Sequence, residues 1–133
     1  MAGAALTVPL VAVILRRGYG LGAQAMCGGS LHEPLLTVAW PGAHLGPMGL
    51  EGAVRLGMRK ELEAIADPDE REQAVRAATA AAEENARALN SASMFELDDV
   101  VDPADTRELI AATLAAAAQH ETPAPRSRFI DTW

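Results

Sequence analysis

The groups of this chain best placed to do chemistry are backbone N–H groups. In the stretch VPLVAVILRRGYGLGAQAMCGGS, Val8 to Ser30, the glycines Gly18, Gly20 and Gly22 stand between an apolar run and a short series of small residues. Read as an apolar strand over Val8 to Leu15, a glycine-rich turn, and a helix over Ala23 to Cys27, the stretch makes an anion site. N–H groups at a helix N-terminus have no internal partner and lie at the positive end of the helix dipole, so they point at an arriving negative oxygen. Glycine lets the backbone come close to that oxygen and take positive φ. Aimed at a developing charge, such donors form an oxyanion hole, whose loss costs about 3 kcal/mol of transition-state stabilisation. No catalytic side chain is required, and a valine at Gly22 is expected to crowd the helix start. The plain alternative is a turn that only reverses the chain.

Other chemistries fit less well. GYGLGA satisfies G-x-G-x-x-A, a loose dinucleotide fingerprint, through Gly18, Gly20 and Ala23. A nucleotide fold also needs an acid at the end of the next strand to hold the ribose, and that strand ends Trp40-Pro41-Gly42. Cys27, His32, Glu33 and His44 lack the spacing of a zinc clip, so no metal is expected. Cys27 reads as a small buried thiol rather than a nucleophile. The acid pairs Asp98-Asp99 and Glu83-Glu84 fall on solvated faces, away from any general acid–base role.

The elements that must position the turn come from one domain's worth of chain. The sequence has 133 residues, 50% of them hydrophobic but only 4% aromatic. Much of the apolar content is alanine, which buries little area, so the core is thin. A net charge of −7 argues against a nucleic-acid surface. The apolar run Ala4 to Leu15 contains Pro9 and falls short of the roughly 20 residues that span a bilayer. Arg16 and Arg17 follow that run, whereas a signal peptide places its positive charge first. With one cysteine and no disulfide framework, the chain reads as cytoplasmic.

All eleven glycines lie between Gly3 and Gly57, so strands and tight turns come first and helices after. Leu35 to Trp40 reads as a second buried strand and Ala43 to Met48 as a short third. Gly49 to Leu56 reads as a short helix whose small face, Gly49, Gly52 and Ala53, sits tight against the first turn. Asp67-Pro68-Asp69-Glu70 sets an N-cap, a first-turn proline and a glutamate three after the cap, which predicts a helix running to about Leu89. Asp102-Pro103-Ala104-Asp105 repeats that signal for a helix with Leu109, Ile110, Leu114 and Ala117 on one face, fading near His120. Phe95 to Val101 is expected to be extended. The fold class is therefore α/β. Residues 1–120 form the structured part, and 121–133 an irregular tail whose Phe129, Ile130 and Trp133 are expected to dock on a surface.

Val8 to Met26, TVAWP at Thr37 to Pro41, MGLEGAVRLG at Met48 to Gly57 and FELDDVVDPADTR at Phe95 to Arg107 together resemble the carboxyltransferase β subunit of biotin-dependent acyl-CoA carboxylases, the propionyl-CoA carboxylase type. The resemblance implies a crotonase-like fold in which these residues are the last part of the second of two domains. The expectation is a C-terminal piece of a longer subunit. It implies carboxyl transfer: biotin, carried as carboxybiotin on a partner protein, gives up CO2, and its ureido nitrogen takes the α-proton of an acyl-CoA.

Two oxyanion holes serve that family, one for the thioester and one for biotin. The N–H groups of Leu21 and Gly22 match the biotin-side hole, with Gly20 and Ala23 flanking it and Gln24 facing the substrate. Propionyl-type members usually read Y-G-G-A-Y-D here, so Gln24 replaces an aspartate. The implied partners are an acyl-CoA, a biotin carboxylase and biotin carrier subunit, a carboxyltransferase N-domain and further copies of the chain, with no nucleic acid and no membrane. The isolated chain is expected to be inactive, because the thioester hole lies in the other domain. Two other readings stand beside this one: a non-catalytic fragment that docks on a carboxylase subunit, and a crotonase-like hydratase or isomerase. The last needs an acid or base beside the hole, for which only Tyr19, Gln24 and Glu33 are near in sequence.

Overall fold

The computed structural model describes Leu6 and residues 8–119. The irregular tail, and the docking expected of Phe129, Ile130 and Trp133, lie outside the described residues. Within them the chain is α/β, as expected. Strand β1 (Val11–Ile14) bends at Leu15 and Arg16 into β2 (Arg17–Tyr19), which runs straight into α1 (Gly20–Met26). A second pair of strands follows, β3 (Leu36–Ala39) and β4 (His44–Gly46), then α2 (Leu50–Gly57) and α3 (Arg59–Ala64). The long helix α4 (Pro68–Asn85), α5 (Ala88–Ser93), β5 (Asp99–Val100) and α6 (Thr106–Ala118) complete the order.

The strands lie in two small sheets, β1-β3-β5 and β2-β4, and every paired strand is parallel. Val11 stands opposite Leu36 and Arg17 opposite His44, so each strand–bend–strand segment repeats the one before it as a further rung. Parallel strands buried on both faces want continuous apolar residues. In β3 this holds, with Thr37, Val38 and Ala39 all fully or almost fully buried. The core beneath the rungs is Ile14, Ala39, Ala43, Leu45, Ala88 and Leu97, small side chains for the most part. The Trp40 indole N–H donates to Thr106 Oγ1 at 3.0 Å, tying α6 to the end of β3.

Several boundaries differ from the sequence reading. The first strand is shorter than Val8 to Leu15, because β3 offers only four partners; Val8 and Leu15 are 64% and 53% exposed. The glycines do not form a separate turn: Gly18 belongs to β2 and Gly20 opens α1, three residues earlier than the expected helix start. Helix α2 packs chiefly on α4, its Gly49 and Gly52 share a cleft with Arg17 and Tyr19, and it is Pro47, in the loop before α2, that reaches Gly20.

The predicted helix to Leu89 stops at Asn85 because the next residues pair with β4. Leu45 N–H donates to the Ala86 carbonyl at 2.8 Å and Ala88 N–H to the Ala43 carbonyl at 2.9 Å, with Arg87 extended between them. Two ladder bonds in the core outweigh the helix preference of an alanine-rich run. Asp67 caps α4 as expected, its carboxylate accepting from the N–H groups of Asp69 at 2.8 Å and Glu70 at 3.2 Å. Asp102 accepts from Ala104 N–H at 2.8 Å, and a 3-10 turn, Pro103–Asp105, precedes α6.

Candidate anion site

Gly20 fixes the entrance to α1. Its φ is +60°, and a Cβ placed there would stand 2.8 Å from the Pro47 carbonyl oxygen. Only glycine takes this backbone without strain and lets Pro47 approach so closely. The preceding residue, Tyr19, is extended (φ −116°, ψ 135°), and its side chain does not cap the helix. The first-turn N–H groups, those of Leu21 and Gly22 among them, therefore have no partner inside the helix and point out of its N-terminus.

The flanking residues have distinct roles. The Leu21 side chain is 82% exposed, so this residue contributes its backbone rather than its packing. Around a Cβ added at Gly22 no heavy atom lies within 4 Å apart from its chain neighbours and the helix's own backbone. That corrects the expectation of crowding: a valine at Gly22 extends into open space, and the steric constraint sits at Gly20 instead. Ala23 is half-buried and faces β2, its Cβ 3.8 Å from where a Gly18 Cβ would be. The Gln24 side chain is exposed, while its carbonyl accepts from Cys27 N–H at 3.0 Å and Gly29 N–H at 2.8 Å and closes the far end of the helix. An open groove of about 890 Å³ runs along Val11 to Tyr19 and reaches α1 at Gly22, Ala23, Met26 and Cys27.

Cys27 is buried and unpaired, and burial pushes its thiol pKa up, which keeps it protonated and a poor nucleophile. Glu33 is exposed and lies against Gly28, at the C-terminal end of α1 and so away from its N-terminal donors. Among the described residues no three of His, Cys, Asp and Glu gather to hold a metal ion. The acid pairs serve the fold. Asp98 Oδ2 accepts from Thr37 N–H at 2.7 Å, Asp99 Oδ1 from Val100 N–H at 2.7 Å, and Glu84 pairs with Arg87 at 2.8 Å. Sequence reasoning missed Pro47 and Asp98, which act through backbone groups distant in sequence and leave no local pattern.

Comparison with known proteins gives a consistent picture. The chain matches the carboxyl transferase domain family over residues 1–130. It is similar to the methylmalonyl-CoA carboxyltransferase 12S subunit of Propionibacterium freudenreichii subsp. shermanii, 40% identical over 92% of this chain and 23% of that one. A probable biotin-dependent acyl-coenzyme A carboxylase beta2 subunit of Mycobacterium tuberculosis is 32% identical over 84% of this chain and 22% of its own length. Among solved structures, a single-chain, multi-domain long-chain acyl-CoA carboxylase superposes with a TM-score of 0.73 and 52% identity, over 84% of this chain and 10% of that one. The transcarboxylase 12S hexamer superposes with a TM-score of 0.72 and 34% identity, over 98% of this chain and 24% of that one. The chain thus spans a quarter or less of the length of these proteins. No described helix is long and apolar enough to cross a membrane.

Proposed function

We propose that this chain, which belongs to the carboxyl transferase domain family and shares its crotonase-like α/β fold, supplies the biotin-side oxyanion hole for carboxyl transfer to an acyl-CoA. The observation that carries the reading is the start of α1: Leu21 and Gly22 present backbone N–H groups outward, opened by the positive φ of Gly20. A ureido carbonyl oxygen accepts two such donors, and the space over Gly22 and the uncapped helix start leave both within reach, so the residues fit that group. Carboxybiotin, bound on a partner carrier, supplies the carboxyl group.

This chain's residues do the rest by positioning and by charge. The N–H groups of Leu21 and Gly22 donate hydrogen bonds that strengthen as negative charge develops on the bound oxygen, and they need no reorganisation to do so. Gly20 and Ala23 flank them, Gly20 setting the turn and Ala23 seating the helix against β2. Gln24, exposed on the next turn of α1, faces the acyl substrate. The partners in this reading are an acyl-CoA, a biotin carboxylase with its biotin carrier, a carboxyltransferase N-domain and further copies of the chain. The compartment is the cytoplasm, in keeping with the free thiol of Cys27.

The test is reconstitution: the chain is mixed with a biotinylated carrier, biotin carboxylase, ATP, an N-terminal carboxyltransferase segment and a panel of acyl-CoAs, and transfer from labelled bicarbonate is followed. Label in an acyl-CoA only when both the chain and the segment are present supports the reading. Equal transfer without the chain removes it. A docking role without catalysis is the second reading, favoured by the exposure of Leu21 and Met26, each 82%; binding without transfer is its signature. The hydratase or isomerase reading loses Glu33 as its acid, since that side chain stands at the C-terminal end of α1.

A further inference from the structure

A polar cleft on the face of β2 turned away from α1 points to a further ligand. Side chains alternate along a strand, and Gly18 faces Ala23 of α1, so Arg17 and Tyr19 project to the opposite side. There they meet the start of α2 and the C-terminal half of α4 around a cleft of about 260 Å³, lined also by Gly49, Gly52, Thr79 and Glu83. At the ~30 Å³ that each water takes in the liquid, such a cleft holds a molecule of roughly eight or nine non-hydrogen atoms. Its charged groups are left unmatched. Arg17 and the half-buried Glu83 both line it, yet neither makes an ion pair among the described residues, with the other or with a third group. Glu51, by contrast, is neutralised by Arg55 at 2.9 Å. One turn from Glu83 on α4, Thr79 keeps a buried hydroxyl with no hydrogen-bond partner among the described residues. A half-buried charge and a buried hydroxyl without partners are costs that a bound molecule relieves. Gly49 has no side chain to cap α2, so the N–H groups of Leu50, Glu51 and Gly52 lack a partner inside the helix and add positive potential to the cleft.

We propose that this cleft binds a small amphoteric molecule with one carboxylate and one ammonium group, an amino acid in the broad sense. The carboxylate lies against Arg17 and the start of α2, where a guanidinium and helix N–H groups both donate to anionic oxygen. The ammonium lies against Glu83, with the Thr79 hydroxyl one turn away on the same face of α4. The lining selects this chemistry over a simple ion. A lone anion brings a second negative charge to Glu83 and leaves it uncompensated, and a lone cation does the same to Arg17. The two side chains stand too far apart to pair directly, so a molecule charged at both ends bridges them. The volume falls below the ~300 Å³ at which sites for drug-sized ligands begin, which excludes a nucleotide. None of these residues belongs to the donor pair of Leu21 and Gly22, so the cleft and the carboxyl-transfer site stand or fall separately.

The test is equilibrium dialysis against the full chain, with radiolabelled glycine, β-alanine and γ-aminobutyrate as probes and acetate and methylammonium as single-charge controls. The three probes lengthen the spacer between the charges, so they also measure the span from Arg17 to Glu83. The expected result is saturable one-to-one binding of at least one probe, about tenfold or more tighter than either control, with the amide resonances of Leu50, Glu51 and Gly52 shifting on titration. Arg17→Gln and Glu83→Gln remove charge from groups without ion-pair partners, which spares the fold, and each should weaken that binding about tenfold or more. Arg16→Gln removes an equal charge from an exposed neighbour that does not line the cleft, and should leave binding unchanged. The comparison of probes with controls on the unaltered chain stands even where a variant unfolds. No saturable binding of any of the three probes overturns the proposal. So does acetate or methylammonium binding as tightly as the best probe, or Arg16→Gln costing as much as Arg17→Gln, since either result reports surface charge rather than a cleft.

Discussion

Replacing Gly20 by alanine should cost far more than the same change two residues later. At Gly20 the φ of +60° imposes a left-handed backbone on an L-residue, at about 1–2 kcal/mol. The new Cβ would also lie 2.8 Å from the Pro47 oxygen, a backbone atom that cannot swing aside, so Pro47 and the start of α2 must shift. A total of about 2–3 kcal/mol follows. At Gly22 the backbone is helical and the space is open, so alanine is expected to gain about 0.5 kcal/mol or more by restricting the unfolded chain. The two single substitutions therefore differ by about 3 kcal/mol, read as a shift of the urea midpoint at constant slope. Gly20→Ala and Gly22→Ala melting within about 0.5 kcal/mol of each other would refute the account of the turn, since additivity errors alone reach that size.

Other substitutions probe the supports of the site. Asp67→Ala should lose about 1 kcal/mol by leaving the N–H groups of Asp69 and Glu70 uncapped, and Asp102→Ala somewhat less because it caps Ala104 alone, both measured by urea unfolding. Asp98→Ala orphans the N–H of Thr37, a residue only 1% exposed, and should cost about 1–3 kcal/mol; unchanged stability would mean that Thr37 finds another acceptor. Burial raises the Cys27 pKa above its ordinary 9.0, so the stability tied to the neutral thiol is full below pH 9 and is lost as pH rises through the folded value. Cys27→Ala should accordingly flatten the fall of Tm on the alkaline side, and an identical fall in both proteins would contradict this.

Local chemistry carries some elements of this fold and tertiary pairing the others, and the sequence shows only the first kind. The cap at Asp67 and the buried run in β3 are legible because each is fixed by its own residues. The extended segment expected over Phe95 to Val101 shrinks to Asp99–Val100, with Phe95 at a φ of 61°, because only those two residues pair with β3. Strand β2 was not legible, since Arg17-Gly18-Tyr19 has no strand pattern and is extended only because β4 pairs with it. Helix α3 was not, its six residues being mostly charged with Leu62 alone buried. The break at Arg87 sits in a run of helix formers, and the ladder to β4 decides it. For the candidate site, the glycines mark the stretch that opens α1, but the sequence could not say which glycine is constrained. That depends on the Pro47 carbonyl, twenty-seven positions further along.

The claim that Leu21 and Gly22 hold developing charge is tested most directly by Leu21→Pro in the reconstituted transfer assay. Proline is accommodated in the first turn of a helix and removes one N–H while leaving the fold and the neighbouring donor in place. The account predicts a fall in kcat of about 100-fold or more, with the KM for acyl-CoA and the melting temperature close to wild type. Transfer within a few-fold of wild type by a folded Leu21→Pro chain would contradict it.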